Sequence, residues 1–307
     1  MTHHHHDHHH DHHHAPSNYN KAFVIGTILN VGFVAVEAVF GLLTQSLALL
    51  ADAGHNLSDV LGLLLAWGAS YLVQRPPSQR YTYGLRRSSI LAALFNSIIL
   101  LLTMGAIAWE AVRRFFDPSE VPGTTIIFVA AVGVAINTAT ALMFMSGREG
   151  DLNIRGAFWH MAADALVSLG VVLAGIGILL TGWLWFDPVV SLVIVVVVVY
   201  STWQLLKDSG NLALDAVPRD IEPQAVRQYL CERPGVTQVH DLHIWAMSTT
   251  ETALTAHLVM PQGIGGDRFL QETSEALETH FGIAHATLQL ETGDPNHPCG
   301  LEAEDRV

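Results

Sequence analysis

Six apolar stretches, roughly 22–43, 47–73, 90–116, 124–145, 152–180 and 188–206, follow one another along the chain with only short connections between them. Each is close to the ~20 residues that a helix needs to cross a ~30 Å hydrocarbon layer. In lipid every backbone N–H and C=O must be satisfied within its own segment, so these stretches predict six transmembrane helices rather than open strands. Half of the residues are hydrophobic and only 14% are charged. That balance fits a membrane protein because the apolar residues are clustered rather than dispersed. No basic segment, short apolar core and cleavage site stands at the start, so the first stretch reads as a retained helix rather than a secretory signal.

Lys and Arg set the orientation. The connection after the second stretch carries Arg75, Arg80, Arg86 and Arg87, the one after the fourth carries Arg148, and Lys207 follows the sixth, whereas 44–46 and 181–187 carry none. The excess marks the first group as cytoplasmic and predicts that both termini are cytoplasmic. Arg113 and Arg114, at the outer end of the third stretch, run against the pattern but are outnumbered. The net charge of −13 comes mainly from the region beyond the helices. It argues against nucleic acid as a partner and suits a domain that attracts cations. Both cysteines, Cys231 and Cys299, fall in that region, so no disulfide is expected.

Ionisable residues inside apolar stretches are costly and mark function. The second stretch contains Asp52, His55 and Asp59, and the fifth repeats the His-x-x-x-Asp spacing as His160 and Asp164. Residues four apart share a helix face, so each pair presents one imidazole beside one carboxylate. Two such faces supply two nitrogens and two oxygens, a set suited to tetrahedral Zn²⁺, and the two carboxylates offset the dication. The plainer reading is a polar pair that joins helices, but a second identical pair would then be coincidence. Asp52 is open to three roles: ligand, gate residue, or the favoured one of an acceptor that fixes the imidazole of His55. Asn56 lies on the adjacent flank and suits a hydrogen bond between helices, as do Asn96 and Asn137. Glu37, seven residues after Asn30 in the first stretch, is read as structural or proton-linked, since four ligands are already present without it.

Residues 1–17 form a His/Asp-rich tail expected to be disordered and cytoplasmic. Its ten histidines are His3, His4, His5, His6, His8, His9, His10, His12, His13 and His14, broken by Asp7 and Asp11. They act as weak, multivalent metal ligands. A purification tag is the alternative, but tags are ordinarily uninterrupted. Residues 18–208 make the six-helix domain. Residues 209–293 change character to a cytoplasmic domain, and 294–307 read as a disordered tail. Within 209–293 the pattern predicts a helix at 222–231, strands at 237–247 and 251–260, a helix at 267–280 and a strand at 285–291. The order αββαβ fits a ferredoxin-like α+β layer, one sheet backed by two helices. So small a domain buries more apolar surface by pairing with a second copy. Strand alternation brings His240 and His257 within reach of each other, with Glu291 able to close a second metal site and His285 as a weaker member.

These residues carry a resemblance. Six stretches with His-x-x-x-Asp in the second and fifth, a His/Asp-rich start, and the run Val239-His240-Asp241-Leu242-His243-Ile244-Trp245 look like the cation diffusion facilitator family, in its bacterial zinc-exporting branch. The resemblance implies a homodimer in the inner membrane that exports Zn²⁺ from the cytoplasm in exchange for H⁺. It implies that His55, Asp59, His160 and Asp164 form the transport site, and that the tail dimerises and senses cytoplasmic metal. Relatives with Asp at the position of His55 have broader selectivity that extends to cadmium, so His55 argues for zinc first. Two departures from the family pattern stand out. The connection 74–89 holds neither Asp nor His, so a further site found there in some members is not expected, and Ala284-His285 stands where many relatives carry paired histidines.

The ligands alone imply proton coupling. Histidine binds metal only when neutral and carboxylate only when ionised, so Zn²⁺ entry expels protons. No phosphate-binding loop is present, which leaves the proton gradient as the driving force of a secondary transporter. Two rivals are an intramembrane zinc enzyme and a membrane metal sensor that does not transport. The enzyme lacks a His-Glu-x-x-His signature and an open metal position, so no enzymatic activity is expected.

Overall fold

The computed structural model describes residues 18–73, 75–145, 152–263, 266–297 and 299–301. The histidines of the start and Arg148 lie outside the described residues. Six long helices come first: α1 (Asn18–Thr44), α2 (Leu47–Val73), α3 (Ser88–Arg114), α4 (Gly123–Phe144), α5 (Leu152–Thr181) and α6 (Phe186–Ala213). Among the described residues, five segments are long and apolar enough to cross a membrane: Ile25–Thr44, Ser88–Arg114, Gly123–Phe144, Phe158–Thr181 and Phe186–Ala213. The remaining helix, α2, is 27 residues long and carries Asp52, His55 and Asp59 in its first half. Large apolar side chains such as Leu43, Leu102, Phe128 and Leu180 point outward. Lipid is the solvent that such an exterior suits.

The chain divides into two compact units, Met1–Val60 with Leu102–Val198, and Leu61–Leu101 with Val199–Val307. In the first unit, small residues let helices approach closely. A Cβ on Gly133 of α4 would stand 2.5 Å from Cζ of Phe33 in α1, and one on Gly175 of α5 would stand 2.7 Å from the Ile127 side chain in α4. Either substitution would push helices apart, so these glycines fix the α1–α4 and α4–α5 contacts.

The second unit holds α7 (Pro223–Cys231), β1 (Gln238–Ala246), β2 (Thr252–Val259), α8 (Gly266–Phe281) and β3 (His285–Glu291). The order αββαβ is the one the sequence implies, with ends shifted by a residue or two. β1 and β2 pair antiparallel with His240 opposite His257, and β2 and β3 pair parallel with Val259 opposite Glu291. The core gathers Val226 and Leu230 from α7, Leu254 and Leu258 from β2, and Phe269 and Leu277 from α8. The β1–β2 turn is tied to the start of α3. Arg86 pairs with Glu251 at 2.6 Å and the Thr249 N–H donates to Ser89 Oγ at 3.1 Å. Beyond β3 the chain keeps local order, since the N–H of His297 donates to the Asp294 carbonyl at 3.0 Å. This hydrogen-bonded turn lies within the segment, 294–307, that the sequence reads as a tail.

Candidate metal centre

Helical periodicity places His55 and Asp59 on one face of α2 and His160 and Asp164 on one face of α5, and the two faces meet. The pairing crosses over. His55 Nε2 lies 3.3 Å from Asp164 Oδ1, and His160 Nε2 lies 3.4 Å from Asp59 Oδ2. Within each helix the separations are longer, 3.9 Å for His55 Nδ1 to Asp59 Oδ2 and 3.6 Å for His160 Nε2 to Asp164 Oδ2. Ligand atoms of His55, Asp59 and Asp164 all lie within 4.8 Å of one another. A tetrahedron with ~2.0 Å bonds to N and O has an edge of ~3.3 Å, so the crossed contacts already have the spacing of zinc ligands. His55 Nδ1, Asp59 Oδ2 and both oxygens of Asp164 are buried without a hydrogen-bond partner. Buried polar atoms are nearly always satisfied, and a carboxylate left so is satisfied best by a cation.

Around this set is a ring of polar residues. Asp52 is fully buried, and His55 Nδ1 has no hydrogen-bond partner. Oδ2 accepts from Ser168 Oγ at 2.7 Å and Oδ1 accepts from Asn56 Nδ2 at 3.3 Å. The favoured role of fixing the imidazole is thus not the one its hydrogen bonds serve. They instead tie α2 to α5 through Ser168, one turn beyond Asp164. Asn56 thus bonds to Asp52 within its own helix, and it also stands beside Glu37 of α1. Glu37 is fully buried beside Asp52 and Asn56, and neither of its oxygens has a hydrogen-bond partner. Asn137 is also fully buried, and among the described residues it makes no bond to another helix.

A second cluster forms at one end of the small sheet. His257 Nδ1 is 3.0 Å from Glu291 Oε1, and His240 Nε2 is 3.4 Å from Glu291 Oε2. Cys299 Sγ approaches His257 Nδ1 at 3.6 Å, and ligand atoms of His240, His257, Glu291 and Cys299 fall within 4.8 Å of one another. Asp241 joins from the side, 3.3 Å from His257 Nε2 and 2.9 Å from His243 Nε2. Two nitrogens, a carboxylate and a thiol make a soft, mixed set of the kind Zn²⁺ takes. A hydrogen bond with the Leu301 backbone pulls the Cys299 thiol down, but burial and the nearby Glu291 and Asp241 carboxylates outweigh it and leave the thiol above its usual range. His285 does not belong to this group. It is exposed, pairs with Ala253 at the opposite end of the sheet, and stacks edge-on with Tyr83. Because β3 runs parallel to β2, its first residue starts far from His257.

Two family models match the chain: the cation efflux transmembrane domain over residues 23–212 and the cation efflux protein, cytoplasmic domain, over residues 218–293. The chain belongs to the cation diffusion facilitator family. Among its relatives is a cadmium, cobalt and zinc/H(+)-K(+) antiporter of Bacillus subtilis, 35% identical over 94% of each chain. A metal cation efflux system protein of Cupriavidus metallidurans is 36% identical over 90% of this chain and 88% of its own. A zinc transporter of Escherichia coli is 38% identical over 85% of this chain and 83% of its own. This cation diffusion facilitator is therefore an integral membrane protein of metal cation efflux, and its cytoplasmic domain is of the dimerising type.

Three residues of the two clusters escape a reading of this facilitator's sequence. Ser168 had a signal, since it stands four residues after Asp164 on the same helix face. Asp241 had a misleading one. Strict alternation puts it on the face opposite His240, but the register slips between His240 and His243 and Asp241 takes φ of +49°, which turns its carboxylate back toward His257. Cys299 had none, because it comes from a loop beyond the last strand.

Proposed function

We propose that this facilitator is a secondary transporter that exports Zn²⁺ from the cytoplasm in exchange for H⁺ by alternating access around His55, Asp59, His160 and Asp164. The observation that carries the reading is the crossed set of His–Asp contacts between α2 and α5, with its carboxylate oxygens buried and unsatisfied. Zn²⁺ with two ionised carboxylates and two neutral imidazoles sums to zero. So do two imidazolium–carboxylate pairs. Two protons per zinc would thus leave the site neutral in both states, which is what burial favours. Glu37 and Asp52, with Asn56, are the proton-linked or structural partners beside it. Four protein ligands leave no open position for an activated water, which favours cargo over catalysis.

In this reading α2 is the sixth crossing. Both termini are cytoplasmic in the bacterial inner membrane, and Arg114, which runs against that orientation, has its charge compensated by Asp187 at 3.6 Å. The tail from 209 to 293 is ferredoxin-like, pairs with a second copy, and senses metal through His240, His257, Glu291 and Cys299. The histidines of residues 1–17 gather metal for the system. The name of the Bacillus subtilis relative supports cadmium as a secondary cargo, with zinc favoured by the imidazole of His55.

Zn²⁺ flux in proteoliposomes under an imposed pH gradient tests the proposal. Flux that follows the gradient and disappears in Asp59→Ala and Asp164→Ala supports it. Zinc binding without flux in the native chain favours a sensor and overturns it.

A further inference from the structure

The start of α2 is held by a residue that the metal chemistry does not use. Asp187, in the first turn of α6, is fully buried. Its Oδ1 accepts from Ser46 Oγ at 2.5 Å and from the Ala48 N–H at 3.2 Å, and its Oδ2 accepts from the Leu47 N–H at 2.8 Å. Ser46 Oγ in turn accepts from the Leu49 N–H at 3.3 Å. Arg114, at the end of α3 and itself buried, faces Asp187 Oδ2 at 3.6 Å and donates to the Gln45 carbonyl. The first-turn N–H groups of a helix have no partner within it and are ordinarily capped by a local side chain or by water. Here Ser46 caps one of them, and a carboxylate from another helix takes two more. The negative charge also complements the positive end of the α2 dipole.

The position of this clamp relates it to the metal ligands. Ala48 and His55 are seven residues apart, two turns along one face, a distance of about 11 Å at ~1.5 Å per residue. Fixing the N–H groups of Leu47 and Ala48 therefore fixes both the rotation and the depth of the segment that carries His55 and Asp59. Three helices converge there: α2 by its N-terminus, α3 through Arg114 and α6 through Asp187. A helix pinned at its outer end can still tilt at its inner end.

We propose that Asp187 is a positioning residue for transport: it pins the outer end of α2 to α3 and α6, so that α2 opens the metal site by tilting about that end. This inference rests on the alternating-access reading. It assigns Asp187 to the rate of the conformational step and not to metal binding.

The test uses the full-length chain carrying Asp187→Ala, Asp187→Asn or Ser46→Ala. Folded yield and thermal midpoint are measured in detergent, zinc affinity by chelator competition, and kcat and KM for Zn²⁺ flux in proteoliposomes. In Asp187→Ala, kcat per folded transporter should fall about tenfold or more while KM and zinc affinity stay within about threefold. Asp187→Asn keeps an acceptor for Ser46 and should recover part of the rate. A native kcat per folded transporter in Asp187→Ala, even with lower yield, makes the clamp merely structural and overturns the proposal. Where Asp187→Ala does not fold, the two milder variants decide, and native kcat in both overturns it. Equal losses in kcat and zinc affinity also overturn it. Failure of the transport reading itself is separate, because it appears as absent flux in the native chain.

Discussion

His55 Nε2 lies 3.3 Å from Asp164 Oδ1, across the contact between α2 and α5 and closer than either ring nitrogen of His55 is to Asp59, the acid of its own helix. The His–Asp cluster is therefore made by the helix pair and not by either helix alone. Asp164 is nearly fully buried, so its charge has no screening solvent. Asp164→Asn keeps the shape and removes that charge, leaving a bound Zn²⁺ with one compensating carboxylate. Zinc affinity of the transmembrane site should fall by about two orders of magnitude or more. Isothermal titration of the detergent-solubilised chain checks it, with the cytoplasmic cluster disabled by His257→Ala and residues 1–17 removed so that one site is read. Unchanged affinity would remove Asp164 from the ligand set.

His55→Asp replaces a borderline nitrogen donor by a hard oxygen and adds a third carboxylate around the ion. A site with Zn²⁺ then carries a net negative charge, and the preference for an imidazole-loving ion weakens. Competition flux with equal Zn²⁺ and Cd²⁺ should show the zinc-to-cadmium ratio falling about fivefold or more, with total transport retained. An unaltered ratio would mean that selectivity is set away from His55.

What could be read in the sequence divides along a physical line. The His-x-x-x-Asp pairs were legible because a helix fixes its own periodicity, so four letters suffice to place an imidazole beside a carboxylate. His240 and His257 were legible for the same reason, since a hairpin of alternating strands sets its register locally, and the two are indeed paired. His285 failed because strand direction in the third position is a tertiary property. Its partner, Ala253, lies at the far end of the sheet from His257's partner, Gln289. The partners of Asp52 were hidden in a different way. One is an ordinary serine, Ser168, whose importance follows only from which face of α5 packs on α2. Asp187 fell in a connection, 181–187, and its capping of the start of α2 follows only from how α6 packs beside that helix.

Glu37 offers a prediction that separates proton handling from zinc binding. It contacts none of the four ligands by hydrogen bond or ion pair, yet it is buried beside Asp52 with both oxygens unsatisfied. Glu37→Gln removes the titratable group and keeps the volume. Zinc affinity in detergent should change by less than about threefold, while flux under an imposed pH gradient should fall about fivefold or more and respond less steeply to the gradient. Simultaneous recording of zinc and proton movement decides it. Native flux with native pH dependence would leave Glu37 a purely structural acid.

The cytoplasmic cluster should bind zinc in a strongly pH-dependent way, and the sign follows from Cys299. Burial and the Glu291 and Asp241 carboxylates hold its thiol above the usual range, so at neutral pH the free site carries the proton. Metal binds the thiolate and must expel it. Affinity should therefore rise with pH, by up to about tenfold per unit for each proton released, and flatten only above the thiol's own titration. Cys299→Ser should remove part of this slope and weaken binding by about tenfold or more. Binding to the chain with the transmembrane ligands replaced by Asp59→Ala and Asp164→Ala and with residues 1–17 removed gives the affinity at each pH, and a pH indicator gives the released protons. Cobalt as a probe adds a direct readout, because thiolate ligation produces a sulfur-to-metal charge-transfer band that Cys299→Ser must lose. A band that persists in the variant, or a slope that does not change, would place Cys299 outside the coordination sphere and leave His240, His257, Glu291 and Asp241 to hold the ion.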